Sequence, residues 1–167
     1  MPKLISREEA LAQIRAERGG EPCLMCGIAA RRIGAVHALY EDDDFLVFLP
    51  RYVRRWGQVC VMPYAHVRSF GEMSAASFGA MSALGHRVAM TLERAQRPKR
   101  VYLASTGSSA GELMNSSEHM HLHAIPLYMP DDKPSDIFSW RAGVWVGADE
   151  EWADLLASYR AAWVEAT

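Results

Sequence analysis

Three histidines stand at alternate positions in His119-Met120-His121-Leu122-His123-Ala124, and few local structures suit that spacing. On an extended strand successive side chains point to opposite faces. All three imidazoles then share one face, while Met120, Leu122 and Ala124 take the other and suit a core. The pattern predicts a strand over His119–Tyr128. With six histidines in the chain, chance would produce such a triplet on the order of one time in a hundred; the competing reading is three solvated or core histidines. Imidazole transfers protons and attacks electrophiles near neutral pH, and its neutral nitrogen binds zinc. The strand alone does not choose between these chemistries.

The rest of the chain supplies a frame for that strand. Ser6 followed by Glu9 reads as a capping box opening a helix through Arg18, which Gly19-Gly20 ends. Val36–Tyr40 and Phe45–Leu49 form a hairpin about the acidic turn Glu41–Asp44. Residues 50–57 read as a loop, and Gln58–Met62 as a buried strand closed by Pro63. Ser74 caps a long helix reaching Gln96, with Phe78, Met81, Leu84, Val88 and Leu92 at helical spacing and Pro98 as its stop. Val101–Ser105 is a further strand, and Asp149–Glu165 a closing amphipathic helix. The connections are too short for helical crossovers. The expected class is therefore α+β: an antiparallel sheet of about five strands against one long helix, with short helices at both ends. At 167 residues one domain spanning 1–167 is expected.

Charge and composition narrow the function. A net charge of −2 gives no global field for nucleic acid or an anionic membrane, so neither is an expected partner. The N-terminus lacks the apolar run of a signal peptide, and no segment approaches spanning length, so a cytoplasmic location is expected. Between the last two sheet strands, Thr106-Gly107-Ser108-Ser109-Ala110-Gly111 combines glycines with hydroxyls, a composition that lets backbone amides approach a phosphate; it also occurs in plain linkers. Cys23-Leu24-Met25-Cys26 has the spacing of two ligands of a tetrahedral zinc, of a redox pair, or of two unpaired thiols. The strand hairpin that follows is not the βαβ context of a thioredoxin-like pair. Cys60, inside an apolar strand, reads as a small core residue.

Residues 119–126, His-Met-His-Leu-His-Ala-Ile-Pro, resemble the signature of the histidine triad (HIT) family. So does Gly57-Gln58-Val59-Cys60-Val61-Met62-Pro63 followed by His66, ahead of the long helix. The resemblance spans about residues 22–130. It implies a nucleotide hydrolase or nucleotidyl transferase in which His121 attacks the α-phosphorus of a nucleotide conjugate and a covalent nucleotidyl-histidine is then resolved. It further implies that His123 contacts the phosphate oxygens or the leaving group. Ser116 and Ser117 would stand near the leaving atom. Ser105 and Gly111 occupy nucleotide-binding positions of the glycine loop, and Leu24, Met25, Ile28 and Phe48 wall a base pocket. A two-fold homodimer is the usual assembly. The chain departs from the family pattern at Pro50, where many members carry an acid for the ribose hydroxyls, and at Ser105, Glu112 and Leu127. Arg51, Arg54 and Arg55 read as a solvated loop face, with compensating charge near the site as the second reading.

A subset of the family combines a C-x-x-C with a histidine after the Gly-to-Pro strand. Likeness to that subset implies a structural zinc held by Cys23, Cys26, His66 and His119, with no open position for water. A metal held by the three histidines themselves is the competing arrangement. The tryptophan-rich segment from Asp131 onward lies outside the resemblance.

Overall fold

The central strands are apolar at every position because alternate residues face different layers. The computed structural model describes residues 1–106 and 118–163. It opens with strand β1 (Lys3–Ile5), helix α1 (Arg7–Arg18) and the short helix α2 (Leu24–Ala29). Strands β2 (His37–Glu41), β3 (Phe45–Leu49) and β4 (Val59–Pro63) lead to the long helix α3 (Ala75–Gln96) and strand β5 (Arg100–Ala104). Then come β6 (Leu122–Leu127), α4 (Pro134–Phe138), β7 (Val144–Val146) and α5 (Asp149–Ala162). Five strands form one antiparallel sheet in the order β2-β3-β4-β6-β5, and β1 pairs with β7 in a separate ribbon.

On one face of the sheet, Phe45, Val47, Leu49, Val59, Val61 and Ala124 meet Met81, Leu84, Val88 and Leu92 of α3 and Trp152, Leu155 and Tyr159 of α5. On the opposite face, Leu46, Phe48, Cys60 and Met62 pack with Cys23 and Met25. Farther along that face Ile125 and Leu127 pack with Ile137 of α4. The expected α+β architecture is thus present, with both sheet faces covered rather than the long-helix face alone.

Local signals explain most element ends. The Ser6 hydroxyl accepts the Glu9 N–H at 3.1 Å, while the Glu9 carboxylate turns to Gln13. The Ser74 hydroxyl accepts the Ser77 N–H at 3.1 Å, and α3 stops at Arg97, φ 48°, just before Pro98. In the β2–β3 turn the Asp42 carboxylate accepts the N–H groups of Asp44 and Phe45 at 2.9 and 2.8 Å.

Two expectations change. The strand predicted from His119 begins only at Leu122. The Met120 N–H instead donates to the Val67 carbonyl at 2.7 Å, so His119 and Met120 follow the segment after β4. The pieces β1, α2, α4 and β7 are too short to show a period, and they form through contacts distant in sequence.

The C-terminal residues pin the loop between β3 and β4. Val53 and Trp145 exchange backbone hydrogen bonds at 3.1 and 2.8 Å. Trp56 packs on Trp152 with ring centroids 4.3 Å apart, and the Tyr128 hydroxyl donates to the Trp56 carbonyl at 3.0 Å. The buried Tyr159 hydroxyl donates to the Gly57 carbonyl at 2.7 Å. Gly57 has φ +92°, and a Cβ there would lie 2.5 Å from that hydroxyl oxygen, so glycine meets both a conformational and a steric demand. Among the described residues no helix is long and apolar enough to cross a membrane.

Replacing Tyr159 with Phe leaves the packing but removes the donor to a buried carbonyl. It is expected to cost about 1–2 kcal/mol in denaturant unfolding; an unchanged midpoint would show that this bond does not tie α5 to the loop.

Candidate active site and metal cluster

Register places His123 at the junction of four groups. On β6 it pairs with Cys60 of β4 on one side and Ala104 of β5 on the other. Its ring turns to the sheet face opposite α3, where Gln58 and Cys60 lie at like parity on or beside β4. Gln58 Nε2 stands 3.0 Å and Cys60 Sγ 3.3 Å from His123 Nδ1. The Gln58 amide is oriented by its other end, since Gln58 Oε1 accepts the Arg54 backbone N–H at 3.1 Å. Its NH2 group therefore donates to His123 Nδ1, which assigns the ring proton to Nε2. Burial pushes the Cys60 thiol up to about 12, which keeps it a neutral thiol.

His121 is fixed from the opposite direction. Its Nδ1 lies 2.7 Å from the His119 carbonyl and donates to it, leaving a lone pair on Nε2. That lone pair faces His123 Nε2 at 3.1 Å, with the two rings nearly perpendicular at 83°. Desolvation of the half-buried ring draws the His121 pKa down to about 4, against the opposing effect of its hydrogen bond to His119. Burial, with His121 and Arg54 nearby, also holds His123 well below the ordinary histidine value. Both rings are neutral, with one unprotonated nitrogen between them.

His119 leaves this pair and joins a second cluster. Its Nε2 donates to the Pro63 carbonyl at 2.9 Å, which turns the Nδ1 lone pair toward the cysteines. Nδ1 lies 3.7 Å from Cys23 Sγ and 3.5 Å from Cys26 Sγ, and His66 Nδ1 lies 3.2 Å from Cys26 Sγ. The ligand atoms of Cys23, Cys26, His66 and His119 all fall within 4.8 Å of one another. Bonds of about 2.3 Å to sulfur and about 2.0 Å to nitrogen hold tetrahedral ligands about 3.3–3.8 Å apart, so this donor set fits one such ion. The cysteines meet because Cys23 caps α2 and its Sγ accepts the Cys26 N–H at 3.4 Å. The triplet is thus divided: His119 belongs to the cysteine cluster, while His121 and His123 face each other.

Other expected positions are distributed unevenly. Met25, Ile28 and Phe48 share the apolar cluster that contains Cys60. Leu24 packs instead with the group of Ile5, Ile14 and Trp140. Ser105 follows β5 directly, one residue after the partner of His123. Gly111, Ser116 and Ser117 lie outside the described residues.

The largest departure is Arg54. Expected on a solvated face, it is only 9% exposed, and its Nη1 approaches His123 Nε2 at 3.5 Å. Arg55 does bind an acid, Asp132, at 2.5 Å, and Arg51 pairs with Glu17. Gln58 and Arg54 were hidden in sequence because a polar residue heading an apolar strand, and an arginine in an arginine-rich loop, look solvated. The only available signal was the parity Gln58 shares with Cys60 along that strand.

Comparison with known proteins agrees with this fold. Residues 35–129 match the HIT domain family. The chain belongs to that family. An uncharacterised HIT-like protein of Saccharolobus solfataricus is 24% identical over 110 residues, covering 65% of this chain and 76% of that one. A zinc-bound histidine triad family protein of Mycobacterium smegmatis has a TM-score of 0.66 at 23% identity, covering 86% of this chain and 94% of its own. A hypothetical histidine triad nucleotide-binding protein of Sulfolobus tokodaii has a TM-score of 0.67 at 25% identity, covering 84% and 91%.

The hydrogen-bond network sets three ring tautomers. Long-range 15N–1H spectra of the histidine rings are expected to show the proton on Nε2 in His119, Nδ1 in His121 and Nε2 in His123. A His121 ring protonated on Nε2 would contradict the hydrogen bond assigned from Nδ1 to the His119 carbonyl.

Proposed function

We propose that this protein is a nucleotide hydrolase or nucleotidyl transferase that reacts at the α-phosphate through a covalent intermediate on His121. One observation carries the reading: a neutral His121 with its Nδ1 proton held by a backbone carbonyl presents an Nε2 lone pair beside the N–H of His123. Family membership supports nucleotide-related hydrolase or transferase chemistry in general.

In the first step His121 Nε2 bonds to the α-phosphorus, and the bond from phosphorus to the leaving group breaks with its electron pair. A phosphate leaves as its anion; an amine takes a proton from water. His123 Nε2–H hydrogen-bonds the phosphoryl oxygens. The positive charge developing on the substituted His121 ring is shared with the His119 carbonyl through Nδ1–H. In the second step a water oxygen bonds to phosphorus, the P–Nε2 pair returns to His121, and the water proton goes to solvent. Dividing one displacement in two lowers each barrier. Ser116 and Ser117 are the proposed hydrogen-bond donors at the leaving atom. Ser105, Gly111, Met25, Ile28 and Phe48 are the proposed contacts of the nucleotide.

We assign zinc to Cys23, Cys26, His66 and His119. It would be structural, tying α2 to the residue whose carbonyl orients the nucleophile.

A panel of adenosine and guanosine phosphoramidates and dinucleoside polyphosphates tests the reaction. Nucleotide release is expected from the wild type, with an acid-labile protein adduct, and His121→Ala is expected to lower release by at least about 10³-fold. Nucleotide binding with neither release nor adduct would leave a binding module instead. The metal is tested separately: elemental analysis is expected to give about one zinc per chain, lost in Cys26→Ala together with thermal stability. A wild-type protein that takes up no zinc even when it is supplied would remove the metal assignment.

A further inference from the structure

Arg54 is a permanent cation at a buried position. Its Nε is a buried donor with no hydrogen-bond partner. Among the described residues no carboxylate pairs with it. The guanidinium lies over the Trp140 and Phe138 rings at 5.6 and 5.9 Å, so aromatic faces fix its plane. Nη1 stands 3.5 Å from His123 Nε2, and that nitrogen already bears a proton because Nδ1 accepts from Gln58. The two groups are therefore both donors and do not satisfy each other. The His123 N–H faces the His121 lone pair, so the Arg54 guanidinium is left with no acceptor at its Nε. A buried unpaired charge is costly unless a counter-ion completes it, so the acceptor is an anion.

The order of groups gives its place. His121 Nε2 and Arg54 Nη1 both contact His123 Nε2, at 3.1 and 3.5 Å, so the guanidinium lies beside the ring that also meets the nucleophile. Resting on the nucleotidyl-histidine reading, we propose that Arg54 is a specificity-determining residue that binds the phosphate of a departing group. The favoured substrates are then nucleotides whose α-phosphate is joined to further phosphates, such as dinucleoside polyphosphates, over phosphoramidates whose leaving group is a neutral amine. The α-phosphoryl oxygens fall to His123. Arg54 takes the second anion, for which a planar fork of donors is suited.

The test compares kcat/KM for diadenosine tetraphosphate and adenosine 5′-phosphoramidate, with the guanosine counterparts, in wild type, Arg54→Met and Arg54→Lys. Arg54→Met is expected to lose roughly 10- to 100-fold on the polyphosphate, mostly in KM, and to stay within about threefold on the phosphoramidate. Arg54→Lys keeps a cation of similar reach and recovers part of the loss. Without ligand, Arg54→Met is expected to melt no lower than wild type, since an unpaired buried charge is gone. Equal losses on both substrates would place Arg54 on the α-phosphate and overturn the proposal. So would undiminished polyphosphate turnover, or a lysine variant no better than methionine. Turnover of neither substrate by the wild type would remove the underlying reaction instead, an outcome distinct from these.

Discussion

Strands β3 and β4 are buried on both sides, and this two-sided burial is the constraint from which the remaining structure follows. Each strand must divide its residues by parity between a thick core under α3 and α5 and a thinner one under α2. A register slip of one residue would exchange the two sets and expose neither, so packing volume rather than polarity fixes the alignment. Cys60 thereby faces His123, and Val59 and Val61 face the helices. The chemistry sits on the thin side, where the cover is made of short pieces that leave room for polar groups.

Two clusters share one residue. The His119 ring reaches the cysteine pair, while its backbone carbonyl holds His121 by Nδ1. This is why the three histidines need not converge on one point. Departure from strand geometry before Leu122 aims the first ring toward Cys23 and Cys26, and continuation of the strand beyond it aims the third toward Gln58. The alternation in sequence is thus read in two geometries within five residues.

Much of this was legible beforehand. The five-stranded sheet, the long helix with its Ser74 cap, and the grouping of Cys23, Cys26, His66 and His119 follow from periodicity, capping and family pattern. Three-residue strands and one-turn helices were not legible, because so short a segment carries no period and exists only when a distant partner arrives. Gln58 was missed, and Arg54 was ranked as solvated, for a related reason. Burial of a loop side chain depends on what lies over it, and here the cover comes from Phe138 and Trp140, more than eighty residues away.

The pinning of the loop between β3 and β4 reaches across the chain. Residues 35–129 match the family, yet Trp145, Trp152 and Tyr159, all beyond that span, hold the backbone on either side of Arg54. The matched portion carries the histidines, and the portion beyond it holds the backbone beside a neighbouring guanidinium. A change in that portion alone would shift the Arg54 backbone without altering any histidine.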